Sequence, residues 1–211
     1  MNTPAERLAT SLQQLPLVAI LRGLTPAEAP AIGQALVSTG FLLLEVPLNS
    51  PQPLQSIATL ADQHPNLLIG AGTVMSAADV RNVQAAGGRL IISPHFDAEV
   101  VHEALRLGMA CMPGVATPSE AFAALKAGAH ALKLFPAEMI APAVVKALRA
   151  VLPSNVPLLP VGGVNPDNMA AWRKAGASGF GIGSALYKPG QSVTHTATAA
   201  NTFIQGWRSM A

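Results

Sequence analysis

The sequence predicts an α/β chain of the (β/α)8 TIM-barrel class with an additional N-terminal helix, residues 1–211 forming one domain. Three observations carry this expectation. Eight short apolar runs begin near Leu17, Phe41, Leu67, Arg89, Met109, Ala131, Val156 and Gly179, only 20 to 26 residues apart. Alanine-rich stretches with helical spacing lie between them, as in Ala27–Ser38, Ala77–Ala86, Ala98–Leu107 and Ser119–Lys126. The runs are apolar on both faces, as strands of a parallel sheet covered by helices must be. An open doubly wound sheet is the alternative, and the count of eight favours the barrel.

The punctuation agrees with this division. Gly40, Gly87, Gly108, Gly128 and Gly176 stand just past expected helix ends, each followed by the next apolar run. Thr25-Pro26, Ser50-Pro51, Thr117-Pro118 and Asn165-Pro166 each put an N-cap residue before a proline suited to the first helical turn. Residues before Pro16 read as an extra helix able to cover the floor of the barrel.

Composition narrows the function. Half of the 211 residues are hydrophobic and only 11% are charged, against roughly 25% in an ordinary soluble domain, so part of the surface is expected to be covered by oligomerisation. Thirteen basic and eleven acidic residues leave a formal charge of +2 with no basic stripe, which argues against nucleic-acid binding. No apolar stretch approaches the ~18 residues of a membrane span, and the N-terminal segment lacks a secretory h-region, so a cytoplasmic location is expected. Cys111, the single cysteine, excludes an internal disulfide and reads as core filler beside Met109 and Met112. Trp172 and Trp207 read as packing residues.

In a barrel of this kind the polar residues at the carboxyl ends of the strands are the candidates for chemistry. Lys133 interrupts Ala131-Leu132-Lys133-Leu134-Phe135-Pro136, and Glu45 interrupts Phe41-Leu42-Leu43-Leu44-Glu45-Val46-Pro47. Counting by two puts Glu45 on the face of Phe41 and Leu43, and Lys133 on that of Ala131 and Phe135. One reading is a buried ion pair that fixes packing, although such pairs are a weak source of stability. The other is catalysis, since burial depresses a lysine pKa and so supplies the neutral amine that attacks carbonyl carbon.

Val161-Gly162-Gly163-Val164 ends the seventh run and Gly179-Phe180-Gly181-Ile182-Gly183-Ser184 ends the eighth, with a short helical turn possible after Ser184. Glycine-rich loops after these two strands form the usual phosphate site of a barrel, with backbone N–H groups as donors. Tight packing alone would account for one such glycine pair, but two clusters favour phosphate. Arg22 reads as a carboxylate partner or a rim charge, and Thr73 as a substrate donor or a helix cap. His95 reads as a loop residue, and no cluster has metal-ligand spacing, so no metal is expected.

At these positions the chain resembles the class I 2-keto-3-deoxy-6-phosphogluconate/6-phosphogalactonate aldolase family. The motifs are Ile20-Leu21-Arg22-Gly23, Glu45 to Pro51, Gly70-Ala71-Gly72-Thr73-Val74, Lys133-Leu134-Phe135-Pro136, Val161-Gly162-Gly163 and Gly181-Ile182-Gly183-Ser184. They occur in order from about Leu15 to the C-terminus. The resemblance implies a homotrimer that releases pyruvate and D-glyceraldehyde 3-phosphate from a phosphorylated keto sugar acid, with a covalent imine on Lys133 and no cofactor. It also implies Glu45 as general acid/base, Arg22 and Thr73 at the keto-acid end, and Gly162, Gly163, Gly183 and Ser184 at the phosphate. Asn49 and Val161 stand where the gluconate branch usually has arginine and threonine, which implies the galactonate branch and D-galactonate degradation, with gluconate or dual use as the alternative. A barrel isomerase or epimerase using Glu45 as base, and a noncatalytic phosphosugar-binding module, are the rival readings.

Overall fold

A computed structural model describes residues 3–210. In chain order its elements are α1 (Pro4–Gln14), β1 (Leu17–Ile20), α2 (Ala29–Thr39), β2 (Leu43–Pro47), α3 (Pro53–Gln63), β3 (Leu68–Gly72), α4 (Ala77–Ala85), β4 (Leu90–Ile92), α5 (Ala98–Arg106), β5 (Ala110–Met112) and β6 (Gly114–Val115). There follow α6 (Pro118–Lys126), β7 (Leu132–Leu134), a 3-10 turn (Ala137–Met139), α7 (Pro142–Arg149), β8 (Leu158–Pro160), α8 (Met169–Lys174), β9 (Phe180–Ile182) and α9 (Val193–Arg208).

Every ladder is parallel. One sheet runs β5-β4-β3-β2-β1-β9 and a second β6-β7-β8, and together they make a curled parallel sheet inside a coat of helices. The eight expected runs all form strands, the fifth of them in two pieces. It divides at Pro113, which has no N–H to give the ladder. The Pro113 carbonyl still accepts from Lys133 N at 3.0 Å, so β7 stays aligned across the break. A single bridge, Val161 with Gly181, joins the end of β8 to β9.

Period-two alternation sorts the strand residues into two cores. Val18, Leu43, Leu68, Leu90, Ala131 and Leu159 belong to a cluster on the inner face. Their neighbours Leu17, Leu44, Ile69, Ile91, Leu132 and Leu158 pack into the larger cluster with the helices. Leu8 of α1, 2% exposed, joins the inner cluster. The extra N-terminal helix therefore contributes the residue that covers the inner core, as expected. Its start is held by a capping box of Thr3 and Glu6 with Pro4 in the first turn. Thr117 and Glu120 form a second box on α6.

Some local expectations fail for identifiable reasons. Ser50 does not cap α3; that helix begins after Gln52, whose φ is 44°, and the Ser50 hydroxyl accepts from Gly23 N at 2.9 Å instead. Thr25 and Asn165 brace turns that precede α2 and α8 rather than the assigned helix starts. Phe41 lies ahead of β2 and packs in the outer cluster, so only Leu43 shares the inner face with Glu45. The five expected terminal glycines all follow helices, with φ from 67° to 109°. Cys111 is buried, and burial pushes its thiol up to about 12, which keeps it unreactive. No helix of the described residues is long and apolar enough to cross a membrane.

Candidate active site

Glu45 on β2 and Lys133 on β7 extend the inner face toward the carboxyl edge of the sheet, where the apolar filling stops. They are 2% and 5% exposed. Burial raises the Glu45 pKa to about 7, and the positive charges of Lys133 and Arg22 and a backbone hydrogen bond from Gly72 restrain the rise. Burial lowers the Lys133 pKa, Glu45 opposes that shift and Arg22 adds to it. The two groups thus feel each other's charge without making a close ion pair. Among the described residues, the ion pairs within 4.0 Å are Arg81–Glu103 and Arg106–Glu103, both at the surface. The direct ion pair of the packing reading is therefore not formed.

Each group has one distinctive neighbour. Lys133 Nζ lies 4.3 Å from the centroid of the Phe135 ring, whose face attracts a cation while keeping bulk water away. Glu45 Oε2 is buried with no hydrogen-bond partner, a free acceptor facing the interior. Its carboxyl group lies against Gly72, where an added methyl group would overlap all three carboxyl atoms. In the β2–β3 ladder Glu45 stands opposite Gly70 and Pro47 opposite Gly72, and the Glu45 carboxyl group reaches the space that Gly72, with no side chain, leaves open.

Arg22, Asn49, Val161, Gly162, Gly163, Gly183 and Ser184 come together around one cleft of about 720 Å3 at this edge. Phe135 lines the same cleft and connects it to Lys133. Arg22 Nη1 donates to Asn49 Oδ1 at 2.8 Å, tying the loop after β1 to the loop after β2. Gly162 and Gly163 take φ of 114° and 61°, a backbone that turns peptide groups in a way side chains disfavour. After Ser184 the chain makes one tight turn, with Leu186 N and Tyr187 N both donating to Gly183 O.

Thr73 stands outside the cleft lining. It holds φ 55°, rare for a branched residue, and it is not the helix cap that was one of its two readings. Ser76 fills that role, accepting from Asp79 N at 3.1 Å. His95 lies in a loop after β4, consistent with its reading.

Several contributors were not singled out from the sequence. Gly72 is one, and Glu138, Lys188 and Pro189 on the cleft wall are others. Glu28 is a contributor of another kind, a clamp. Its carboxylate accepts from Thr25 N, Thr25 Oγ1 and Gly190 N, which fastens the loop after β9 to the turn after β1. Pro189 then packs on Gly23, where a methyl group would come within 2.5 Å of Pro189 Cγ. The only sequence signal for this clamp was the Thr25-x-x-Glu28 spacing of a capping box, which gives no hint of residue 190.

A curled parallel sheet with its buried amine, buried acid and glycine-lined cleft gathered at one edge defines an α/β enzyme of the aldolase class. The chain belongs to the KDPG and KHG aldolase family, whose profile matches residues 8–198. It is 48% identical over 196 residues to the 2-dehydro-3-deoxy-6-phosphogalactonate aldolase of Escherichia coli K12, covering 92% of this chain and 96% of that one. It superposes on a native KDPGal structure with a TM-score of 0.91 at 48% identity, covering 93% and 96% of the two chains. A KDPG aldolase from Legionella pneumophila, solved with pyruvate captured at low pH as a covalent carbinolamine, matches with a TM-score of 0.78 at 28% identity, covering 96% of each.

Proposed function

We propose that this chain is a class I lyase that cleaves 2-dehydro-3-deoxy-6-phosphogalactonate to pyruvate and D-glyceraldehyde 3-phosphate through an imine on Lys133. The observation that carries the reading is the buried, charge-coupled but unbonded pair of Lys133 and Glu45 beside a glycine-lined cleft. The similarity to relatives named for the galactonate substrate supports its choice.

Burial lowers the Lys133 pKa from its ordinary value and so raises the share of neutral amine, the form that attacks the C2 ketone. The carbinolamine takes a proton from the Glu45 carboxyl group and loses water to give a protonated imine, an electron sink at C2. Glu45, as carboxylate, takes the C4 hydroxyl proton while the C3–C4 bond breaks. The bonding electrons move to the imine as an enamine, and the aldehyde product leaves. Glu45 then returns its proton to C3, and water hydrolyses the new imine to pyruvate and free Lys133. A carboxyl group whose pKa is about 7 can both accept and donate a proton near neutral pH, as these steps require.

Arg22 and Thr73 are read at the carboxylate end of the substrate, and Gly162, Gly163, Gly183 and Ser184 at the phosphate. Binding of that remote group holds C3–C4 over the reacting pair. The strand bridge at Val161–Gly181 and the continuity through Pro113 support closure of the sheet as a (β/α)8 barrel. A homotrimer is the assembly we infer, supported by the low charge content and by the exposed apolar side chains of Met75, Phe122 and Met139. The chemistry asks for no metal or organic cofactor, because the imine itself supplies the electron sink. Turnover of the two C4 epimers, followed by pyruvate release, tests the substrate. Faster turnover of the gluconate epimer would overturn it.

A further inference from the structure

The mechanism leaves two charged groups on the cleft wall unused, the ammonium of Lys188 and the carboxylate of Glu138. Glu138 sits in the 3-10 turn Ala137–Met139, directly after the strand that carries Lys133. It lines the same cleft as Arg22, Lys188 and the glycine loops. Its carboxylate rests over the Gly162–Gly163 pair. A methyl group on Gly162 would overlap Glu138 Oε2, and one on Gly163 would meet Glu138 Cγ at 3.2 Å. Glu138 is exposed, and no cation lies within ion-pairing distance among the described residues.

An anion therefore stands over the backbone read above as the phosphate cradle. A phosphate group entering there must displace the carboxylate or accept a like charge beside it. At about 4 Å in water, one unit of such repulsion corresponds to roughly fivefold in affinity. The Glu138 side chain is exposed and unpaired, so swinging it aside breaks no ion pair.

We propose that Glu138 is an affinity-setting residue that holds the phosphate end of the cleft and weakens its binding of phosphate monoesters and inorganic phosphate alike. The proposal rests on the phosphate reading of Gly162, Gly163, Gly183 and Ser184. Lys188, on the same cleft wall, supplies the opposing charge once the carboxylate has moved. Glu138 in this role weakens the hold on the phosphorylated aldehyde after cleavage, which favours its release.

The test is competitive inhibition of cleavage by inorganic phosphate, in wild type and in Glu138→Gln, alongside borohydride trapping of pyruvate. The variant keeps the shape of the side chain and removes its charge. The inhibition constant for phosphate and the KM for the phosphorylated substrate should both fall roughly fivefold in the variant. Trapping of pyruvate, which carries no phosphate, should be unchanged. Measurable inhibition with an equal or weaker constant in the variant overturns the role of Glu138 alone. Absence of phosphate inhibition in both proteins overturns the glycine site together with it, while loss of trapping in the variant would put Glu138 in the imine chemistry instead.

Discussion

Glu45 and Gly72 occupy one space: the carboxyl group lies where the side chain of any other residue at position 72 would be. The carboxyl group that we read as the general acid/base is thus positioned by an absence on the neighbouring strand. Gly72→Ala should push the carboxylate off its position at a stability cost of about 1–3 kcal/mol, typical of overpacking a core. Turnover should fall at least roughly tenfold, because a displaced base loses its alignment with the C4 hydroxyl. Lys133 should still trap pyruvate. Denaturant unfolding and steady-state kinetics on one preparation would check both, and a variant with unchanged kcat would contradict the positioning role.

The raised Glu45 pKa sets a pH dependence of stability. Its folded value, about 7, lies above its unfolded value near 4.5, so the folded state binds the proton more tightly. The favourable contribution is complete below pH 4.5 and is lost as pH rises through 7. The difference amounts to about 3 kcal/mol, which Glu45→Gln should largely abolish above neutrality. Unfolding free energies of wild type and variant between pH 5 and 8 should therefore diverge as pH rises, with the variant the more stable. Parallel curves would show that Glu45 is not protonated by burial.

Glu28 ties the loop after β9 to the turn after β1, and its effect should appear in binding rather than chemistry. Glu28→Gln weakens the bonds to Thr25 and Gly190. The KM for the phosphorylated substrate should rise about fivefold with kcat within twofold, at a stability cost of about 1–2 kcal/mol. A fall in kcat at constant KM would mean that the clamp serves the reacting pair instead.

Asn49 and Val161 flank the cleft that we read as discriminating the C4 epimers. Val161 packs on Gly181, where a methyl group would stand 2.6 Å from Val161 Cγ2, and Asn49 holds Arg22. Asn49→Arg with Val161→Thr should shift the ratio of kcat/KM toward the gluconate epimer by about tenfold or more, the scale of gaining one polar contact in a pocket. An unchanged ratio would remove both residues from specificity.

The parts of this molecule legible in its sequence are those in which one segment carries its own signal. Strands buried on both faces are continuous apolar runs, so all eight could be counted. A charge inside such a run is conspicuous, and Lys133 and Glu45 were found that way. Contacts between distant segments left no such trace. Nothing local to Gly72 says that a carboxylate from β2 fills its place, and nothing near Glu28 names Gly190. Ser50-Pro51 reads as a helix start because its chemistry suits one, yet the tertiary bond to Gly23 N claims the hydroxyl. The division of the fifth run at Pro113 was visible as a proline but not as a break, since its carbonyl keeps the ladder with β7.

The proposed reaction depends on an imine formed at Lys133. Borohydride reduction in the presence of pyruvate, followed by peptide mass mapping, tests it most directly. One reduced pyruvyl adduct should appear on the peptide containing Lys133, with activity lost in step, and neither adduct nor turnover in Lys133→Ala. An adduct on another lysine, or full activity after reduction, would contradict it.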